Sequence, residues 1–366
     1  MYISIENKIF ITAVHMVARF AERRGATLPA LASVLILASD DGIKMRATNL
    51  EAGIDLKVTG LVKSPGATAV PALLLQQIAS SLPQDGSITL EHTGELLLIV
   101  SGTGKSSLKT TSYDDFPSIP FPENPKHRLI LPAATLRTIL TSIASCASTS
   151  TIRPELASIF FSIERDVLVA AATDSFRLAE KKVPLANSSI RGTFLIPAKN
   201  ALEIAQALPE EDIIVSFDEH QCAFIADTVV LVSRLTNATY PDYRQIIPKE
   251  SIVEATVLRK DFETALKRTS IFADSFQKIQ LTFDQKKKQL ALFARNPDIG
   301  ESTETLPGQI TGDTIQISFN YRYLATILSL TTAESLSLSV AGIGRPLILR
   351  GVGDTSLLYL VSPMNQ

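Results

Sequence analysis

The chain has 366 residues, of which 45% are hydrophobic and 20% charged, with a formal net charge of −2 and two cysteines. It is too long for one ordinary domain of ~150 residues and apolar enough to bury two or three cores. The near-neutral charge excludes a protein that coats nucleic acid by bulk basicity, and Cys146 with Cys222 supplies neither a disulfide framework nor a metal-site spacing, which fits a reducing cytosol.

In chain order, the apolar stretch from Phe10 to Phe20 is broken by His15 and Arg19 and has no basic leader before it, which predicts no signal peptide, no membrane span and a cytoplasmic protein. The first predicted helix, 10–24, places Phe10, Val14, Val17, Ala18 and Ala21 on one face. Two strands follow, joined at Asp40-Asp41-Gly42, and then a second helix over 70–82. The stretch LLLIVSGTGKSSLKT (Leu96 to Thr110) suggests a phosphate-binding loop at Gly104-Lys105-Ser106, but five residues before Gly104 stands Ile99 and not glycine, and a strand-like alternation follows Lys105. It therefore reads as a β-hairpin. A proline-rich linker near Phe121 to Lys126 leads to a helix over 132–148 with Leu136, Ile139, Leu140 and Ile143 on one face, a hairpin turning at Glu164-Arg165-Asp166, and a helix over 197–208. A second linker near Pro248 to Ser251 leads to a helix over 257–274 with Phe262, Ala265, Leu266 and Thr269 inward, a hairpin turning at Asp284-Gln285-Lys286, and a helix over 317–330.

These elements repeat at one third of the chain. Pro117, Pro241 and Pro363 lie 124 and 122 residues apart, and VPALLLQQIASSLP at Val70 matches IPAKNALEIAQALP at Ile196 with a shift of 126 between Pro71 and Pro197. Each third reads as strand, helix, strands, helix, strands, which predicts three similar α+β domains over 1–122, 127–249 and 252–366. The six predicted helices carry ten basic residues against five acidic ones, +5 against −7 elsewhere. A shared helical surface would face phosphates without reading bases.

An enzyme is the main rival. His15, His92, His127 and His220 show neither metal-ligand spacing nor a nucleophile partner, and Asp40-Asp41 and Asp114-Asp115 sit in turns, so no catalytic, metal or cofactor site is predicted. A structural interaction protein of the same fold without DNA is the second rival.

The segments TLPALASVLI (Thr27 to Ile36), DDFPSIP (Asp114 to Pro120), ATDSFRLA (Ala172 to Ala179), YPDYRQIIPK (Tyr240 to Lys249) and the Pro363-Met364 ending resemble the bacterial β sliding clamps, the processivity subunits of DNA polymerase III, over the whole chain in order. The resemblance implies a head-to-tail homodimer, a ring with helices lining the hole and antiparallel sheets outside, encircling duplex DNA without sequence preference. It implies no catalysis and no cofactor. Its partners would be the replicative polymerase subunit, the clamp loader, and repair and translesion polymerases that dock short peptides. The groove for these peptides would be lined by Leu156, Thr173, Ser175, Arg177, Leu178, Pro241, Ile246, Pro346, Leu360, Ser362, Pro363 and Met364, an apolar pocket in which Arg177 fixes peptide orientation. Arg23, Arg24, Arg137 and Lys199 would face DNA, and Lys105, Leu108, Ile271 and Phe272 would form the subunit seam. The chain departs from the family pattern at Phe176, Ser362 and the Asn365-Gln366 end.

Overall fold

The computed structural model describes residues 1–22, 28–119, 127–185 and 190–364. The first third runs β1 (Tyr2–Glu6), α1 (Asn7–Val17), β2 (Ser33–Ser39), β3 (Gly42–Thr48), β4 (Ala52–Val58), β5 (Leu61–Ser64), β6 (Gly66–Pro71), α2 (Ala72–Ser81), β7 (Ser87–Thr93), β8 (Leu96–Ser101) and β9 (Gly104–Lys109). The middle third runs β10 (His127–Pro132), α3 (Ala133–Ala144), β11 (Ser158–Glu164), β12 (Val167–Thr173), β13 (Arg177–Pro184), β14 (Gly192–Pro197), α4 (Ala198–Ala207), β15 (Asp212–Phe217), β16 (Gln221–Ile225) and β17 (Val229–Arg234). The last third runs β18 (Val253–Leu258), α5 (Arg259–Ser270), β19 (Lys278–Asp284), β20 (Gln289–Asn296), β21 (Gly300–Pro307), β22 (Gln309–Gly312), β23 (Ile315–Asn320), α6 (Tyr321–Leu330), β24 (Ser335–Val340), β25 (Leu347–Gly351) and β26 (Leu357–Val361).

The chain divides into two compact units, Met1–Leu140 with Lys199–Thr236, and Thr141–Ala198 with Asn237–Gln366. The first unit holds a five-stranded sheet, β5-β1-β7-β8-β9, and an eight-stranded one, β10-β15-β16-β17-β4-β3-β2-β6. The second holds a nine-stranded sheet, β14-β11-β12-β13-β26-β25-β24-β18-β22, and a four-stranded one, β21-β20-β19-β23. In each unit the larger sheet joins strands from two thirds of the chain. β17 pairs with β4 through Val229↔Leu56 and Leu231↔Ile54, and β26 pairs with β13 through Val361↔Arg177 and Leu360↔Leu178. A helix stripe with apolar residues every three or four positions must bury it. Phe10, Val14 and Val17 on α1, Leu136, Ile139, Leu140 and Ile143 on α3, and Phe262, Ala265 and Leu266 on α5 are all at most 2% exposed. Each large side chain among them contributes about 1.5–3 kcal/mol.

The hairpin turns fall where the sequence places them, with Ser39↔Gly42, Glu164↔Val167 and Asp284↔Gln289 as closing pairs. The Gly104-Lys105-Ser106 stretch opens β9 after a two-residue turn closed by Ser101↔Gly104, with Gly102 at φ 56°. The segment from Gly104 is itself a strand, so it presents no helix N-terminus to a phosphate.

Several helix ends need correction. The predicted helix over 10–24 is α1 followed by a 3-10 turn at Ala18–Phe20, and Arg23 and Arg24 lie outside the described residues. The one over 132–148 ends at Ala144, the one over 257–274 is Arg259–Ser270, and the one over 317–330 begins at Tyr321. Residues 315–320 form strand β23, paired with β19 through Ile317↔Leu281 and Phe319↔Ile279, with Ile317 and Phe319 buried and Gln316 exposed. With the observed boundaries the six α-helices carry eight basic residues and three acidic ones, so the excess of +5 is unchanged. Among the described residues no helix is long and apolar enough to cross a membrane.

Candidate functional site

The end of β12 and the start of β13 are joined by the turn Thr173–Arg177, built by its own side chains. Thr173 Oγ1 donates to the Arg177 carbonyl at 2.7 Å and accepts from the Ser175 N–H at 3.1 Å. Asp174 Oδ1 accepts from the N–H groups of Phe176 and Arg177, both at 3.0 Å. Ser175 has φ 77°, a left-handed conformation that costs a residue with a Cβ roughly 1–2 kcal/mol, and these four bonds hold it there.

Arg177 anchors this corner. Its Nε donates to Asp174 Oδ2 at 3.0 Å, Nη1 to Thr326 Oγ1 of α6 at 2.7 Å, and Nη2 to the Ser145 carbonyl after α3 at 2.8 Å, while the guanidinium lies 5.0 Å from the Tyr323 ring centroid. Burial pulls its pKa down, and Cys146, Tyr359 and Asp174 more than offset that, so it stays a cation. The sequence assigns Arg177 to orienting a bound peptide. In the structure its Nε, Nη1 and Nη2 each donate within the protein, so it positions the turn, the end of α3 and α6 against one another.

The predicted groove residues all belong to the second unit, and some of them pack beside this corner. Leu178 and Leu360 face each other in register and are at most 1% exposed. They share an apolar cluster with Ala171, Tyr243, Ile348 and Leu358, with Phe160, Tyr240 and Ile247 packed against it. The tail is strapped down at two points: the Ser362 N–H donates to the Phe176 carbonyl and the Met364 N–H to the Ser318 carbonyl, both at 2.8 Å. Pro363 lies half-buried between them. Pro346 immediately precedes β25, whose Leu347 pairs with Val361. Pro241 accepts from the Tyr243 N–H at 2.8 Å and leads into a 3-10 turn, Tyr243–Ile246, that leaves Ile246 49% exposed. Leu156 is buried, and its carbonyl accepts from the Ser148 N–H at 2.8 Å.

Sequence reasoning missed Glu180 and its partner. Glu180 is 4% exposed on β13, among apolar neighbours, and Oε2 accepts from the Tyr243 hydroxyl at 2.6 Å while Oε1 meets Lys182 Nζ at 3.2 Å. Burial, then the Glu180 contact, push the Tyr243 hydroxyl up, so it remains the donor. This clasp fixes the turn that carries Ile246. A carboxylate alternating with Ala179 and Lys181 is the one signal for it in the sequence, and it also fits an exposed strand position.

The other predicted residues lie elsewhere. Arg137 donates from Nη2 to the Leu208 carbonyl at 2.8 Å and from Nε to the Ala205 carbonyl at 3.3 Å, capping the C-terminus of α4, and pairs with Glu210 at 2.8 Å. Lys199 is exposed and is the second residue of α4. Lys8, Lys260 and Arg322 occupy the same second position in α1, α5 and α6 and are also exposed. A cation there opposes the helix macrodipole, so exposed cations at the second position of four of the six α-helices are not explained by helix stability. Lys105 is exposed and Leu108 9% exposed on the free edge strand β9. Ile271 is 67% exposed just past α5, and Phe272 beside it is half-buried. Among the described residues no group of three or more His, Cys, Asp or Glu side chains is placed to hold a metal ion.

Models of the N-terminal, central and C-terminal domains of the DNA polymerase III beta subunit match residues 1–120, 130–242 and 244–365. The chain is 30% identical over 363 residues to a beta sliding clamp of Synechococcus elongatus, covering 96% of each, and 27% identical to one of Bacillus subtilis, covering 100% of this chain and 99% of that one. Its fold superposes with a TM-score of 0.93 on the crystal structure of a Bacillus subtilis DNA polymerase sliding clamp, 26% identical over 100% of this chain and 99% of that one. It also superposes at 0.94 on a Pseudomonas aeruginosa sliding clamp bound to griselimycin, 23% identical over the whole of both chains.

Proposed function

This chain belongs to the beta sliding clamp family, the DNA polymerase III beta subunits, and from that membership we propose that it encircles duplex DNA as a head-to-tail homodimeric ring and tethers the polymerase to its template without catalysing a reaction. The observation that carries the ring is the internal repeat of the sheets. The last strand of the middle third, β17, pairs with β4, and the last strand of the last third, β26, pairs with β13. By the same rule the last strand of the first third, β9, needs the counterpart of β4 and β13, which is β21. Both are edge strands here. Exposed edges with unpaired backbone groups recruit another strand, so β9 of one copy pairs with β21 of a second, and two such seams close a ring of three-domain protomers (1–122, 127–249 and 252–366).

The helical excess of +5 and the cations at the second helix positions support a weak attraction to phosphates that fixes no sequence and permits sliding. The corner built on Arg177, with Leu178, Ile246, Pro346, Leu360, Pro363 and Met364 about it, is the docking groove for short apolar peptides of the polymerase, the clamp loader, and repair and translesion polymerases, all in the cytoplasm.

The test is topological. Loaded on nicked circular DNA, the protein is expected to stay bound, and to leave when the circle is cut. Equal retention on circular and linear DNA overturns encirclement.

A further inference from the structure

The repeat that relates the strands also relates the helices to the turns that open those strands. Glu51 immediately precedes β4, Phe176 precedes β13, and Ile299 precedes β21. The third residue of the second helix in each third is Leu74 in α2, Asn200 in α4 and Tyr323 in α6. Inside each unit this helix residue meets the turn residue beside the junction of two thirds. In the first unit, Asn200 Nδ2 donates to the Glu51 carbonyl at 3.0 Å, alongside the β17–β4 pairing, and Asn200 is 4% exposed. In the second, the Tyr323 ring stacks on Phe176 at 6.2 Å between centroids and 17° between planes, alongside the β26–β13 pairing. The remaining helix residue, Leu74, is 47% exposed, and the remaining turn residue, Ile299, is 58% exposed.

We infer that Leu74 of one copy packs on Ile299 of a second copy, forming an apolar latch beside each β9–β21 seam; this rests on the head-to-tail dimer proposed above. The occupant of the Leu74 surface is a second copy of this chain because the partner turn is its own and the flanking edges are charge-complementary. β9 presents Lys105 and Lys109, both exposed, and β21 presents Glu301 and Glu304, whose side chains, 62% and 28% exposed, have only long ion pairs of their own among the described residues, to Arg295 at 3.9 Å and Arg268 at 3.7 Å. The first two junctions use a hydrogen bond and an aromatic stack. The third uses two branched aliphatic side chains, which gain by leaving water and need no fixed partner geometry when two separate chains meet. Leu73, 50% exposed next to Leu74, extends the apolar patch on α2.

The experiment uses the full chain. Cys146 and Cys222 are buried, so a Leu74→Cys, Ile299→Cys variant offers two accessible thiols. Oxidation is expected to give a reductant-reversible covalent dimer in this variant and in a mixture of the two single variants, and none in either single variant alone. Leu74→Lys is expected to weaken the dimer at least tenfold by analytical ultracentrifugation, and adding Ile299→Glu to restore most of that loss. Leu74 is exposed, so neither change perturbs the core. A dimeric wild type whose double-cysteine variant does not cross-link and whose charge pair shows no rescue overturns the latch and leaves the seam standing. A monomeric wild type overturns the seam itself.

Discussion

Changing Lys8, Lys199, Lys260 and Arg322 together to glutamine separates the two properties that these cations affect. Each is exposed and second in its helix, and none of the four side chains has an ion-pair partner among the described residues. Glutamine has nearly the same helix propensity as lysine and arginine, so the change isolates charge. A positive charge in the first turn opposes the N-terminal end of the helix dipole by about 0.3–1 kcal/mol, and at exposed positions the lower end applies. Four removals therefore stabilise the fold by roughly 1 kcal/mol, read as a higher urea midpoint. Duplex binding at low salt should weaken at the same time, and the slope of log K against log salt should become shallower by up to about 0.9 for each phosphate that is no longer neutralised. Opposite signs are the signature. A lower urea midpoint refutes the dipole argument, and unchanged duplex binding with an unchanged salt slope refutes a DNA-facing role for these four residues.

Tyr243→Phe removes the 2.6 Å hydrogen bond to Glu180 and leaves a carboxylate that is 4% exposed with only Lys182 beside it. A hydrogen bond to a buried charge is worth about 1.5–3 kcal/mol, so a loss of about 2 kcal/mol is expected in denaturant titration, with a smaller loss for Glu180→Gln because an amide oxygen still accepts from Tyr243; equal losses refute the clasp. Burial pushes the Cys146 thiol up to about 11 against the opposing Ser145 and Arg177 interactions, and burial likewise raises the Tyr240, Tyr243 and Tyr359 hydroxyls. Groups whose pKa is higher folded than unfolded stabilise the fold fully below the unfolded value, and that contribution drains away as pH rises through the folded one. The melting temperature is therefore expected to hold to about pH 9 and fall between pH 9 and 11; a flat profile over that window refutes the assignment of these groups as buried and protonated.

The helix faces and hairpin turns were legible in the sequence because their signals are local. Phe10, Leu136 and Phe262 each begin an apolar stripe with helical spacing, and Gly42 and Gly102 sit at turns that need positive φ. Helix ends were less legible, since Ile317 with Tyr321 and Leu324 has helical spacing while Ile317 with Phe319 has strand alternation. The boundary between units was not legible at all. β17 finds β4, and β26 finds β13, across more than 170 residues, and nothing near Val229 or Leu357 marks either partner. Thr326 and Tyr323 lie almost 150 residues from Arg177, so the sequence could identify Arg177 but not the interactions that tie it down.

The internal repeat supplies what local pattern cannot, because the first two copies hold the same turn backbone while their side chains differ, and the third is one residue shorter, closing at Asn296↔Gly300 with Gly300 at φ 122°. Thr48 and Thr173 build the same turn: each donates from Oγ1 to a carbonyl four residues on, at 2.9 and 2.7 Å, and each accepts from the N–H two residues on, at 3.1 Å. Leu50 and Ser175 share the left-handed conformation, at φ 69° and 77°. The residue that closes the turn is Ala52 in the first copy, Arg177 in the second and Gly300 in the third. Between the first two copies the turn frame is constant, so the turn itself does not require the change from alanine to arginine. Arginine at one of three equivalent places draws α6, the end of α3 and the tail strapped to Phe176 into a single corner. The alanine copy binds nothing comparable, and the glycine copy leaves Ile299 beside a free strand edge. The same place in the repeat thus borders three different strand edges, and the copy that carries arginine is the one beside which Leu178, Leu360 and the strapped tail lie.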